Sequence, residues 1–167
     1  ASELTDDRSR ILCIRTDVSV EEDCRRLIEE TVRRFGKIDI LINNAGISMR
    51  APFLDVNLEV IKKLMNVNFW GTAYCTKYAL PYLLATKGSV VGVISIAGFK
   101  GLPARTGYSA SKFAMHGFQE GLRFELPENI QLTCLYPVAT DTNFFKAANE
   151  IVDIVFKSDV EFYERWK

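Results

Sequence analysis

Short apolar runs alternate with longer amphipathic segments along this chain. The runs cover residues 11–14, 38–42, 90–95 and 130–136. The run at 38–42 lies between Gly36 and Gly46 and is nearly continuous, as a parallel strand covered on both faces requires. The alternation therefore predicts an α/β fold, a Rossmann-like doubly wound parallel sheet with crossover helices.

Amphipathic segments between these runs predict the helices. After residue 24, apolar side chains recur at helical spacing with charged residues on the other faces. Ser19 and Glu22 predict a capping box at the start of this helix, and Gly36 predicts its end. Longer helices are predicted at about residues 58–85 and 108–126, and residues 143–167 also have a helix-compatible pattern.

Composition narrows the class of protein. The 167 residues are 48% hydrophobic and 25% charged, which is typical of one globular domain spanning 1–167. Lysine plus arginine and aspartate plus glutamate each number 21, so no net charge favours nucleic acid, and we expect a small-molecule partner. No apolar run has the length of a membrane span, and the polar start lacks signal-peptide features, so we expect a cytoplasmic location.

The four cysteines lie far apart in the sequence. Cys13, Cys24, Cys75 and Cys134 each lie within an apolar segment, and none has the paired spacing of a zinc or redox site. We therefore predict reduced core thiols and no metal site.

Tyr108 and Lys112 are the first candidates for catalysis. They lie four residues apart at the start of a predicted helix, so their side chains project from one face. A nearby ammonium favours the phenolate, so we expect Lys112, acting with a cofactor charge, to lower the pKa of Tyr108 toward working pH. Tyr108 could then exchange a proton with a carbonyl oxygen.

Further polar residues follow the predicted strands. Ser95 ends the third run, at the strand edge where open α/β sheets bind ligands, and its hydroxyl could hold a reacting carbonyl oxygen. Asn43 to Gly46 end the second run, and Gly46 allows close approach of a ligand such as a ribose. Asn68 is a polar residue in an apolar helix and would need backbone or water partners, as a proton relay or as a helix-kink residue.

Together these motifs resemble the short-chain dehydrogenases/reductases. The residues that carry the resemblance, in order and spacing, are Asn43 to Gly46, Asn68, Ser95 with Ala97-Gly98, and Tyr108 to Lys112. The resemblance implies that Tyr108 is the general acid/base, Ser95 orients the substrate, Lys112 grips the nicotinamide ribose, and Asn68 holds a water of the proton path. It also implies an NAD or NADP cofactor, with cofactor contacts at Asp17, Val18, Asn44, Ala45, Gly46, Tyr108, Lys112, Pro137, Val138, Thr140 and Thr142.

The sequence departs from the family in several places. The Gly-rich turn that binds pyrophosphate in the family, and its flanking strands, have no counterpart in the sequence, so we expect the natural protein to be longer at both ends. Val138 stands where the family commonly has glycine, and Ile94 where it has a second serine. The missing turn also supports the alternative of a non-catalytic binding or regulatory protein on the same scaffold.

The remaining expectations concern substrate and assembly. The resemblance is strongest to relatives acting on lipid-like ketones, keto-sphingoid bases and steroids among them, and it implies a homodimer or homotetramer. Phe144 and Phe145 could form an apolar substrate lid or pack as ordinary helix residues. His116 is expected in packing or at the surface, and Trp70, Tyr74, Tyr78 and Tyr82 in the core or a subunit interface.

Overall fold

The computed structural model describes residues 8–138 and Phe144. Four α-helices and three β-strands make up this part of the chain: α1 Glu21–Phe35, β1 Ile40–Asn43, α2 Leu58–Leu64, α3 Gly71–Thr86, β2 Ser89–Val93, α4 Thr106–Glu125 and β3 Gln131–Leu135. A π-helical segment, Met65–Trp70, joins α2 to α3, so the predicted long helix is continuous but not regular. The helix-compatible segment at 143–167 lies outside the described residues apart from Phe144.

The three strands form one parallel sheet in the order β1, β2, β3. In register, Leu41 of β1 lies opposite Val90 of β2, which lies opposite Leu132 of β3. Parallel neighbours need crossover connections, which α3 and α4 supply. The predicted Rossmann-like α/β fold with a parallel sheet is confirmed.

The described helices pack against one face of this sheet. Its core joins Val90 and Leu132 of the sheet to Ile28 of α1, Leu83 of α3 and Leu122 of α4, all of them buried. The opposite face is open, since Ile40 is 59% exposed and Ile42 is 61% exposed. The prediction that this strand is covered on both faces is therefore wrong for the described residues, because all of their helices lie on one side.

Helix α1 ends as predicted but begins differently. Gly36 has a φ of 79° and donates its backbone N–H to Val32, closing the helix in the left-handed conformation that suits glycine. The predicted capping box is wrong: the N-cap is Val20, and the Ser19 hydroxyl donates to Asp17 instead. The Ser19 hydroxyl is therefore hydrogen-bonded to Asp17 instead of capping the first turn of the helix.

The apolar run at 11–14 forms no strand. None of the three strands pairs with it, and Leu12 is 38% exposed. An extended segment becomes a β-strand only when its backbone hydrogen-bonds to a neighbouring strand. The apolar character of residues 11–14 is therefore not sufficient to make them a strand.

All four cysteines are free thiols. Cys24 and Cys75 are buried as predicted, and burial raises the pKa of Cys24 to about 12. Cys134 is half-buried, and the prediction of a core position is wrong for Cys13, which is exposed because residues 11–14 are unpaired. Among residues 8–138 and 144, no group of three or more His, Cys, Asp or Glu side chains is placed to hold a metal ion.

No helix within the described residues is both long enough and apolar enough to cross a bilayer. The cytoplasmic location stays a prediction.

Candidate active site

Loops from all three strands meet at the carboxyl edge of the sheet. Asn44 directly follows β1, Ser95 lies two residues beyond β2, and Pro137 lies two residues beyond β3. The backbone N–H of Ile96 donates to the Pro137 carbonyl at 3.2 Å, which ties the second and third loops together. The sheet thus collects candidate residues that are far apart in sequence at the edge where such folds bind ligands.

Tyr108 lies in the first turn of α4 and meets Ser95 across this edge. The Tyr108 side chain is only 5% exposed, and interaction with the Ser95 side chain lowers the pKa of its phenol. Ser95 has a φ of 120° and a ψ of 157°, a conformation that glycine adopts far more readily than serine. Its Oγ accepts the backbone N–H of Ala97 at 3.2 Å.

The environment of Tyr108 favours the neutral phenol. Burial raises the pKa of Tyr108, while the hydrogen bond to Ser95 and the charge of Arg105 lower it by less. Desolvation is the largest of these effects. That Lys112 and a bound cofactor together lower this pKa stays a prediction.

Lys112 is a buried amine one helical turn beyond Tyr108. Its side chain is 3% exposed, and Nζ donates to the Val93 carbonyl at 2.9 Å and to the Met115 sulfur at 3.4 Å. Nζ lies 5.9 Å from the centroid of the Tyr108 ring, within the range of a cation–π contact. Burial lowers the pKa of Lys112 to about 8, so its charge is costly at neutral pH.

Asn68 holds the loop that follows β1. Its Oδ1 accepts the Ile47 backbone N–H at 2.8 Å, and its Nδ2 donates to the Ile47 carbonyl at 2.9 Å. Nδ2 also donates to Ser111 Oγ at 2.8 Å, and the Ser111 hydroxyl donates to the Tyr108 carbonyl at 2.8 Å. Ser111 is thus a link that the sequence reasoning missed, although its position three residues after Tyr108 was a signal. The buried amide finds its partners in backbone and Ser111, and it sits in the π-helical segment.

Gly46 lies close to Asn68 and Lys112 in the loop that follows β1. A Cβ at this position would lie 3.3 Å from Asn68 Oδ1 and 3.4 Å from Lys112 Nζ, so a side chain here would crowd these two groups. Asn44 and Ala45, directly before it, are exposed. An exposed turn therefore lies next to the buried amine of Lys112.

The other predicted cofactor residues lie in three places. Val18 packs against the start of α3, where its side chain would meet a Cβ on Gly71, and exposed Asp17 accepts the Ser19 backbone N–H at 2.9 Å. Pro137 and Val138 are exposed beyond β3, next to the Ser95 loop. Predicted contacts at Thr140 and Thr142 lie outside the described residues.

A second fastening of the β1 loop was not predicted. The Arg105 guanidinium, three residues before Tyr108, donates to Ser48 Oγ at 2.7 Å and to the Met49 carbonyl at 3.4 Å. The Ala51 backbone N–H donates to the Ala104 carbonyl at 2.9 Å, beside this contact. The sequence contains one indication of a role for Arg105, its position three residues before Tyr108. Its contact with Ser48 could not be predicted, because the two residues come from distant segments.

Apolar side chains surround the Tyr108 ring. Buried Met49, Ala51, Leu64 and Ala97 form a cluster with Tyr108, separate from the main core. Phe144 packs edge-on against the ring with centroids 5.9 Å apart. Of the two residues expected to form a lid, Phe145 lies outside the described residues, and Phe144 contacts Tyr108.

The chain is similar to known proteins in sequence and in fold. A model of the short chain dehydrogenase family matches residues 1–152, most of the chain. The chain belongs to this family. The 11-beta-hydroxysteroid dehydrogenase-like 4A protein of Arabidopsis thaliana is 43% identical over 128 residues, which are 76% of this chain and 43% of that protein. The chain therefore spans less than half the length of this relative.

Solved structures agree with this assignment of family and fold. The KRED1-Pglu enzyme is 30% identical, with a TM-score of 0.81 over 92% of this chain and 64% of that one. A gluconate 5-dehydrogenase from Burkholderia cenocepacia, solved with NADP and tartrate, is 29% identical, with a TM-score of 0.73 over 78% of this chain and 52% of that one.

Proposed function

We propose that this chain carries the catalytic edge of an oxidoreductase that transfers hydride between NAD or NADP and a ketone or secondary alcohol. The observation that carries the proposal is a buried phenol, Tyr108, that interacts with the Ser95 side chain and whose ring centroid lies 5.9 Å from Nζ of the buried Lys112. Membership of the short chain dehydrogenase family supports it.

In this proposal Tyr108 handles the proton. During ketone reduction its hydroxyl donates a proton to the developing alkoxide, and during alcohol oxidation its phenolate takes the proton back. Ser95 donates a second hydrogen bond to the same oxygen and so sets the carbonyl against the phenol. A phenol held neutral by burial is in the protonation state that ketone reduction requires.

The nicotinamide nucleotide would supply or accept the hydride when bound. Lys112 and the Asn44, Ala45 and Gly46 turn would hold its ribose, since they meet at the carboxyl ends of β1 and β2. Asp17, Val18, Pro137 and Val138 remain candidates for its other contacts. Asn68 acts indirectly in this proposal: it fixes Ile47, and with it the turn, through two hydrogen bonds.

An apolar substrate fits the surroundings of Tyr108. Met49, Ala97 and Phe144 place hydrocarbon around the ring, and among the side chains of this cluster none is charged. Burying apolar substrate surface there is worth about 25 cal/mol per Å². The steroid-dehydrogenase name of the Arabidopsis relative points the same way, and we infer a lipid-like ketone or alcohol.

The homodimer or homotetramer implied by the resemblance has support on α4. Phe113 is 45% exposed and Phe124 is 87% exposed, on the face away from the sheet. Gly117 and Gly121 lie between them with open space where a Cβ would stand, so a second helix could approach closely. We propose this face as a subunit contact, and light scattering of Phe113→Glu should show a lower molar mass than the parent protein.

Replacing Tyr108 by phenylalanine tests the function directly. Tyr108→Phe removes the proton donor but keeps the ring, so turnover of an apolar ketone should fall by at least about 10²-fold while nucleotide binding survives. Tyr78→Phe is the matched control, because that hydroxyl only donates to Glu21 on the surface. Near-normal turnover in Tyr108→Phe would remove Tyr108 from the mechanism.

Fluorescence titration with NADH and NADPH distinguishes the alternative function. Saturable binding with ketone turnover supports the oxidoreductase. Saturable binding without turnover of any ketone in a panel of steroids and long-chain ketones would instead support a binding or regulatory protein.

A further inference from the structure

Arg105 joins the β1 loop to the start of α4. It is the N-cap residue of α4, and its carbonyl accepts the Ser109 backbone N–H at 2.7 Å. Its guanidinium reaches the opposite way, donating to Ser48 Oγ at 2.7 Å and to the Met49 carbonyl at 3.4 Å. Ser48 is 1% exposed and Met49 is fully buried, so this contact is made inside the protein rather than at a mobile surface.

Arg105 also lies close to Tyr108 along the chain, because it is the N-cap residue of α4 and Tyr108 lies in the first turn. Its positive charge lowers the pKa of Tyr108, against the larger effect of burial. The other cation beside the ring is Lys112, whose Nζ is directed to the Val93 carbonyl and the Met115 sulfur. Ser95 is the uncharged polar partner, and the neighbours of the ring in its cluster, Phe144 included, are apolar.

We propose that Arg105 is a positioning residue of the reaction, which clamps Ser48 and Met49 against α4 and holds a fixed positive charge beside the Tyr108 hydroxyl. This inference rests on the proposed role of Tyr108 as acid/base. Arginine suits the task because its planar guanidinium can donate to two acceptors at once while staying charged at every working pH. In this arrangement Lys112 binds the ribose of the cofactor. Arg105 stabilises the Tyr108 phenolate that alcohol oxidation requires.

The titration of Tyr108 tests the inference without relying on turnover. The protein is labelled with carbon-13 at tyrosine Cζ, and the Tyr108 resonance is identified among those of the six tyrosines by its loss in Tyr108→Phe. In Arg105→Gln, which can still hydrogen-bond but has no charge, the Tyr108 midpoint should move to higher pH. In Arg105→Lys, which keeps the charge, it should stay near the parent value.

Each outcome decides one of the two claims. An unmoved midpoint in Arg105→Gln, or equal shifts in Arg105→Gln and Arg105→Lys, overturns the inference about Arg105. A midpoint that moves only in Arg105→Gln supports the effect of Arg105 on Tyr108, whereas full turnover in Tyr108→Phe would overturn the proposed function and with it the role of Arg105 in the reaction. If Arg105→Gln does not fold, Ser48→Ala takes its place: loss of the 2.7 Å anchor should raise the midpoint, and an unchanged midpoint counts against the clamp.

Discussion

Lys112→Met should stabilise the protein at neutral pH while it removes catalysis. Lys112 is 3% exposed, and its burial lowers the pKa of the amine from 10.5 to about 8. This difference corresponds to about 3 kcal/mol of preference for the neutral amine in the folded protein. Methionine has a similar length and no charge, so it fills the space without that cost, although the hydrogen bond to the Val93 carbonyl is lost, worth about 1 kcal/mol.

The cost of Lys112 depends on pH in a defined direction. Below about pH 8 the amine is charged in the folded and unfolded protein alike, and the full cost of burial applies. From about pH 8 to 10.5 the folded protein has released the proton and the unfolded chain still holds it, so stability rises with pH. The raised pKa of Tyr108 opposes this only above about pH 10, where the unfolded phenol ionises first.

Urea unfolding of the parent protein and Lys112→Met at a series of pH values measures this cost. From about pH 7 to about pH 9.5, the free energy of unfolding of the parent should rise by about 2 kcal/mol relative to the variant. Lys77→Met, at an exposed site on α3, gives the background of removing a lysine charge. A difference between parent and Lys112→Met that does not change over this range would refute a costly buried charge at Lys112.

Three further substitutions probe the packing around the site. Ser95→Gly removes the strain of the positive φ and should raise the free energy of unfolding by up to about 1 kcal/mol, while turnover falls at least about tenfold. Ser95→Ala should lose turnover to the same extent without becoming more stable. Asn68→Ala should cost about 2–4 kcal/mol and weaken NADH binding, because Ile47 loses both partners. A Cβ at Gly92 would lie 1.7 Å from the Gln119 amide, so Gly92→Ala should lower the free energy of unfolding by about 1–3 kcal/mol. Adding Gln119→Ala to this variant should restore part of the lost free energy, as measured by chemical unfolding.

The sequence predicted those parts of the fold that depend on local pattern. The alternation of apolar runs and amphipathic segments predicted strands β1, β2 and β3 and helices α1, α3 and α4 to within a few residues. It failed at residues 11–14, because an apolar run becomes a strand only where another strand pairs with it. It also failed for the far face of β1, where Ile40 and Ile42 are exposed, because the side on which helices pack is a property of the whole fold.

The candidate site divides in the same way. Spacing placed Tyr108 and Lys112 on one helix face, and strand ends placed Ser95 beside them, as the structure has them. The protonation balance could not be read from spacing, since it depends on burial, which raises the pKa of Tyr108 more than its polar neighbours lower it. The contact between Arg105 and Ser48 could not be predicted either, because these residues are far apart in the sequence and only the fold brings them together.

Two costly features lie next to each other at the end of β2. The Val93 carbonyl holds the buried amine of Lys112, and two residues later Ser95 adopts a backbone conformation that disfavours side chains. Neither Lys112 nor Ser95 belongs to the apolar cluster that packs the helices on the sheet. Where a fold keeps unfavourable groups that simple substitutions could remove, the groups are retained for what they do rather than for stability. Lys112→Met and Ser95→Gly therefore test one claim from two directions: each should make the protein harder to unfold and slower to turn over, and a variant that gained in both would show that the end of β2 is not the catalytic edge.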